Sequence, residues 1–395
     1  MTLRRATWFL AFGQTFIWAG LYYIFPALIV RWETAFGWTK AELTGAITLS
    51  IVTSALVSPL AGRLIDKGYG PYLLAGGGFV GGLLLACLSF VDNLTAFYGI
   101  WIAIGACMGC SLYDPCFAFV IKTRGLEAKR TITVITLVAG LAGTLSFPVS
   151  HMIADLFDWR YATFSFAVLI CAVGVPLMWT GARTLTDHTL SDPEELEETE
   201  SVGRDRFRFL WGAKFWLLAI GFTLLYMNHV ALVNHLLLLL KEKQFDSDTA
   251  ILMATFIGPM QVLGRMSMIV AERFVSNTVV TVLCFVFVII ANLALMGIGT
   301  APTLLALFIV FQGSGIGVIS IMKPMVSREI MGGENFGLKS GAQAVPYQIG
   351  SACSALIGSL IWAVGGYDLV LQALLFAPIV GLVMFLGASY LARQS

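Results

Sequence analysis

The chain has 395 residues, of which 58% are apolar and 12% charged, and its formal net charge is +1. Soluble globular domains carry roughly 45–50% apolar and about 25% charged residues, so a chain of this length and apolarity takes lipid as its solvent. The near-zero charge excludes a strongly basic nucleic-acid binder. The seven cysteines, Cys87, Cys107, Cys110, Cys116, Cys171, Cys284 and Cys353, all sit in apolar stretches. Neither a disulfide framework nor a structural zinc site is indicated, and no cofactor is expected.

Arg4 and Arg5 precede an apolar run that reaches Val30. It is too long for a signal-peptide core and lacks a small-residue cleavage site, which predicts an uncleaved first helix. In chain order the apolar segments are 8–30, 41–62, 72–91, 95–121, 131–153, 161–182, 215–240, 249–271, 277–298, 303–326, 338–364 and 369–391. Each has roughly the 20 residues a helix needs to cross the hydrocarbon, where backbone amides must pair within the segment. The predicted fold is an all-α membrane protein of twelve transmembrane helices in two pseudo-symmetric halves, 1–182 and 214–395. Between them, 183–213 is a polar linker with Asp192, Glu194, Glu195, Glu197, Glu198 and Glu200 ahead of Arg204, Arg206 and Arg208. Basic residues crowd one side: Arg63, Lys67, Lys122, Arg124, Lys129, Arg130, Arg183, Lys214, Arg273, Arg328, Lys339 and Arg393 join the linker and the N-terminus. The other side keeps Arg31, Lys40, Arg160, Lys241 and Lys243. The positive-inside bias places both termini and the linker in the cytoplasm.

Polar groups at membrane depth are the candidates for function, because a charge at a helix centre costs about 2.5–3.5 kcal/mol on insertion scales. On helix 1, Gln14, Trp18 and Tyr22 recur at i, i+4 and i+8. Asp114 on helix 4 is eight residues, roughly 12 Å, from Lys122 and shares a face with Cys110 and Cys107. Helix 7 carries Tyr226 with His229 on one face and Asn228 with His235 on another, and helix 8 carries Gln261 and Arg265, seven residues before Glu272. Lys323 on helix 10 shares a stripe with Gln312, Ile316 and Ser320, and helix 11 brings Gln343, Pro346 and Tyr347. His151, His188, His229 and His235 are not spaced for a catalytic or metal constellation, so an enzyme is not expected.

The halves echo each other in Gly62-Arg63 against Gly264-Arg265, and in Asp114-Pro115 against Lys323-Pro324. Six plus six interrupted helices around a tether describe a repeat-built transporter with its site between the halves. The loop Gly62-Arg63-Leu64-Ile65-Asp66-Lys67-Gly68-Tyr69-Gly70 resembles the Gly-x-Leu-x-Asp-Arg-x-Gly-Arg-Arg loop of the major facilitator superfamily. Asp158-Trp159-Arg160 before helix 6 is similar to that superfamily as well. The loop departs by one extra residue after Lys67 and by Pro71-Tyr72 in place of the basic pair. The resemblance implies that Gly62, Asp66 and Lys67 form a conformational loop, with Asp66 meeting the N-terminus of helix 11. It implies too that helices 1, 4, 7 and 10 line a central cavity. The helix 4 arginine of many proton-coupled members is absent, Trp101 standing four residues before Gly105, and the helix 5 drug-antiporter signature is replaced by Gly143-Thr144-Leu145-Ser146-Phe147-Pro148.

The functional expectation is a secondary transporter in the cytoplasmic membrane, working as a monomer by alternating access. Its partners are a small-molecule substrate, a proton or other coupling ion and the bilayer, with no nucleic acid. Two buried cations beside one buried acid favour a small organic anion carried with a proton, and Gln261-x-x-Gly264-Arg265 resembles the helix 8 region of monocarboxylate porters. Substrate contacts are expected from Arg265, Gln261, Lys323, Tyr22, Trp18, His229, Gln343 and Tyr347, and proton coupling from Asp114. The alternative is a proton-coupled exporter of a hydrophobic drug or a soft metalloid, the latter through Cys107 and Cys110.

Overall fold

The computed structural model describes residues 2–189, 205–246, 253, 255–271 and 274–394. Residues 190–204 of the expected linker, Glu195 among them, together with Glu272 and Arg273, lie outside the described residues. Among those described, all regular structure is helical, and ten helical stretches are long and apolar enough to cross a membrane. The chain divides into two compact units, Met1–Ser201 with Glu334–Val345, and Val202–Gly333 with Pro346–Ser395.

In the first unit, α1 (Leu3–Trp18) passes through a π-helical turn at Ala19–Tyr23 into α2 (Ile24–Phe36). Helix α3 (Lys40–Asp66) starts on a capping box, with Thr39 Oγ accepting from the Glu42 amide and Glu42 returning the bond to the Thr39 amide. Next come α4 (Gly70–Leu88) and α5 (Leu94–Ser111), the latter capped by the Asn93 side chain. The expected continuous helix over 95–121 is interrupted. Leu112 is extended (φ −82°, ψ −159°), and α6 (Tyr113–Arg124) starts afresh after it. Pro115 is the physical reason: it lacks the amide hydrogen that would bond to the Ser111 carbonyl and its ring crowds that carbonyl. Gln14 supplies the missing donor, its Nε2 lying 2.7 Å from Ser111 O. The remaining helices of the unit are α7 (Ala128–Ala139), α8 (Ala142–Leu156), α9 (Trp159–Leu169) and α10 (Val175–Asp187).

The second unit holds α11 (Ala213–Glu242), α12 (Ile257–Ala271), α13 (Asn277–Gly297) and α14 (Leu304–Met331). A long helical stretch, α15 (Phe336–Arg393), contributes its first residues to unit one and the rest to unit two. Gly365 and Gly366 leave helical geometry inside it, Gly366 at φ 64°, a left-handed position that a side chain would strain. A core of leucines and aromatics from α11, α13, α14 and α15, including Leu236, Leu295, Phe308 and Leu371, anchors this unit.

Both units bring two helices into backbone contact through glycines four residues apart. Gly105 and Gly109 of α5 lie on the carbonyls of Ser50 and Ser54 of α3. Gly313 and Gly317 of α14 lie on the carbonyls of Ile257 and Gln261 of α12. Small residues permit this approach, which lipid-embedded helices use to gain dispersion contact. The repeated packing therefore centres on these residues. By that register Arg265, four residues after Gln261, corresponds to Ser58 and not to Arg63, so the Gly-Arg echo in the sequence is not a structural one.

Candidate functional site

Arg265 and Lys323 are both buried, 7% and 5% exposed, on α12 and α14 of the second unit. Arg265 Nε donates to the Gly317 carbonyl at 3.0 Å, and Ser320 Oγ donates to the same oxygen at 2.7 Å. Gly317 also presses on Gln261, so the α12–α14 crossing fixes Arg265 and the Gln261 backbone together. Lys323 follows Gly317 by six residues, about 9 Å of helix. Its ammonium does not run along the helix towards Arg328, as a snorkelling lysine would. It lies 3.6 Å from the centre of the Tyr347 ring and 5.8 Å from that of Tyr226, the two rings being 5.1 Å apart. Aromatic faces attract a desolvated cation by about 2 kcal/mol or more, which compensates part of its burial.

His229 is half-buried, with Nδ1 3.5 Å from Gln312 Nε2. Gln312 also approaches Asn228 Oδ1 at 3.4 Å, and Asn228 Nδ2 donates to Asn292 Oδ1 at 3.2 Å and to the Leu374 carbonyl at 2.6 Å. These three amides are fully buried on three helices, so His229 sits at the edge of a structural polar network. His235, on the other face of α11, lies with Nε2 3.0 Å from the Ala355 carbonyl and Nδ1 3.3 Å from Tyr367 Oη. Asn292 was not singled out by spacing; the available signal was a polar residue within an apolar run. Gln343 is buried in the 334–345 segment that belongs to unit one, whereas Tyr347 belongs to unit two.

In unit one, Trp18 packs on Tyr22 (5.2 Å between ring centres) and on Tyr113 (4.6 Å). The π-helical turn widens the face read as i, i+4, i+8, so Tyr23 also reaches Trp18 at 6.1 Å. Asp114 is half-buried in the first turn of α6, beyond the Leu112 break, and a carboxylate there is favoured by the helix dipole. The break removes the common face expected for Asp114, Cys110 and Cys107. Cys107 and Cys110 instead pack on Gly81 and Gly77 of α4.

The loop after α3 is built around Asp66. Its Oδ1 accepts from the Gly337 amide at 2.8 Å and its Oδ2 from the Leu338 amide at 2.7 Å, both in the first turn of α15. These are amides that the helix itself cannot satisfy, and a carboxylate is the natural acceptor there. Gly62 and Gly337 meet backbone to backbone, and Gly341 lies on the Ser58 carbonyl. Lys122 donates to the carbonyls of Ile65 and Asp66, closing the C-terminus of α3. Lys67 is exposed.

Comparisons with known proteins extend this description. Two curated relatives, the multidrug resistance proteins MdtH of Aeromonas hydrophila and Aeromonas salmonicida, are each 26% identical over 180 residues. That match takes in 44% of this chain and 42% of the relative, so the chain spans less than half the length of the curated relatives it matches. The crystal structure of the human organic anion transporter MFSD10 (TETRAN) shares the fold, with a TM-score of 0.69 at 15% identity over 98% of this chain and 99% of that one. A variant of the E. coli fucose:proton symporter FucP gives a TM-score of 0.69 at 14% identity, covering 99% of both chains. The family model of the Major Facilitator Superfamily matches residues 10–322. With that match across most of its length and the fold of these transporters, the chain belongs to the Major Facilitator Superfamily.

Proposed function

We propose that this protein is a proton-coupled secondary transporter of a small organic anion of the monocarboxylate type. The observation that carries the reading is the pair of buried cations, Arg265 and Lys323, on two helices in backbone contact within one unit. A buried positive charge is expensive, and ionisable residues within membrane helices mark substrate and ion pathways. The other proposed substrate contacts are Gln261, His229, Tyr347, Trp18, Tyr22 and Gln343. The structural neighbour MFSD10 is described as an organic anion transporter and FucP as a proton symporter, which is consistent with this class.

Asp114 is the proposed proton carrier, placed at a helix interruption where small backbone shifts change its surroundings. Asp114→Asn is expected to abolish uphill transport in proteoliposomes while leaving substrate exchange partly intact. Wild-type uphill flux in that variant would remove Asp114 from coupling. The loop of Gly62, Asp66 and Lys67 is proposed to steady one end state, through the contacts of Gly62 and Asp66 with Gly337 and Leu338.

The proposed architecture is twelve helices, six in 1–182 and six in 214–395 with 183–213 as tether. The interruption at Gly365–Gly366 divides Phe336–Arg393 in two, and Ile257–Ala271 lies within the 249–271 segment, both in keeping with that count. With both termini cytoplasmic, a cysteine introduced at position 243 is expected to react with an impermeant maleimide added outside cells, and one at 195 is not. External labelling at 195 would reverse the topology.

A second reading, export of a hydrophobic drug, is favoured by the partial match to MdtH. Its metalloid version is not supported, because Cys107 and Cys110 occupy a helix-packing face.

A further inference from the structure

We infer that the segment Asp205–Trp211, at the foot of α11, is a docking site for the headgroups of anionic phospholipid. The inference is independent of which solute is carried. The segment is a 3-10 helix of the second unit, separated from the start of α11 at Ala213 only by Gly212. Three contacts pin it there. The Gly212 amide donates to the Phe209 carbonyl at 3.0 Å, Trp216 Nε1 donates to the Leu210 carbonyl at 2.7 Å, and the Phe209 ring packs on Phe215 with 5.1 Å between centres. Phe215 is buried, whereas Trp216 stands on an exposed stripe of α11 with Ile220. The bond from Trp216 to Leu210 therefore sets the short helix against the outward side of the first turn of α11.

The free side of this short helix is unlike a surface meant for water. Trp211 is 90% exposed, and among the described residues no large apolar side chain is more so. Phe207 and Arg208 are exposed as well. Side chains three apart eclipse in a 3-10 helix, so Arg208 and Trp211 lie one above the other. From Ala213 onwards α11 has the length and apolarity to cross the hydrocarbon, which sets this pair at the level of the headgroups. An indole is amphipathic and collects at that level. The arginine beside it offers a guanidinium fork for a lipid phosphate, and its charge favours an anionic headgroup over a zwitterionic one. Lys214 adds a second cation within the first turn of α11. A solvated tether needs no exposed tryptophan, and an apolar anchor needs no arginine above it. The pairing of the two points to a negatively charged lipid surface.

The test uses the full-length protein in vesicles of phosphatidylglycerol and phosphatidylcholine, with one or the other lipid brominated, because bromine quenches a tryptophan that it touches. The chain has ten tryptophans, so the signal of Trp211 is the difference in emission between wild type and Trp211→Phe. That difference is expected to report phosphatidylglycerol beside Trp211 about fivefold more often than its share of the bilayer. Arg208→Gln is expected to remove most of the enrichment, and about 0.5 M sodium chloride to lower it. Where Trp211→Phe does not fold, Trp211→Tyr supplies the same difference. Emission quenched by aqueous iodide and by neither brominated lipid would place Trp211 in water and overturn the inference. Quenching by the two lipids in proportion to their share, unchanged by Arg208→Gln, would reveal an apolar anchor without a headgroup site and overturn it as well.

Discussion

Replacing Arg265 with lysine is expected to lower the affinity for the transported anion by about tenfold or more, although the charge is kept. A guanidinium presents a planar fork that matches a carboxylate through two parallel hydrogen bonds, and an ammonium does not. Here Nε is committed to the Gly317 carbonyl at 3.0 Å, which fixes the plane of the group. Lysine cannot hold that carbonyl and still offer a fork. Arg265→Gln, which removes the charge, is expected to cost roughly a hundredfold, and Gln261→Ala less than either, because Gln261 only orients the guanidinium or gives one bond. Calorimetry on purified variants with an unchanged melting profile checks the series. Wild-type affinity in both Arg265 variants would rule out an anion site at Arg265 and leave the drug-export reading in its place.

The second large effect is expected at the crossing of α3 and α15. Asp66→Ala removes two hydrogen bonds to a charged group, each worth about 1.5–3 kcal/mol. Asp66→Asn keeps one acceptor oxygen and turns an amide hydrogen towards an amide hydrogen, so it is expected to fall close to the alanine variant. Both are expected to lower the thermal midpoint by about 5 °C or more. Gly62→Ala is expected to be at least as damaging, because its Cβ would strike the Gly337 backbone, which is no flexible side chain. Lys67→Ala, at an exposed position, is expected to stay within about 0.5 kcal/mol of wild type. A loss at Lys67 equal to that at Asp66 would show that the loop acts by surface charge and not by the Asp66 contact with the α15 amides.

Membrane helices were legible because every stretch crossing lipid must be apolar for some 20 residues, and no other rule is so strict. Helix interruptions were less legible. Pro115 signals a lost bond, but the break falls at Leu112, an ordinary helix residue, and its repair by Gln14 comes from a helix almost a hundred positions away. The Asp66 contact joins residues 271 and 272 positions apart, a pairing no local pattern encodes. It was anticipated only through the family resemblance of the loop. Arg265 and Lys323 stood out as charges in apolar segments, yet their surroundings did not. Lys323 is near enough to Arg328 to read as a snorkelling lysine, and only three-dimensional packing puts it over Tyr347. The cysteines beside Asp114 read as one polar face on a continuous helix, and the break divides that face.

Carboxylate accumulation in proteoliposomes under an imposed proton gradient tests the central proposal most directly. Labelled lactate and benzoate are compared with their uncharged amides, and wild-type protein with Arg265→Gln. The account predicts saturable accumulation of at least one carboxylate above its external concentration, collapse when the gradient is dissipated, no accumulation of the amides, and loss in the variant. Accumulation of the neutral compounds, or carboxylate flux that Arg265→Gln leaves intact, would contradict it.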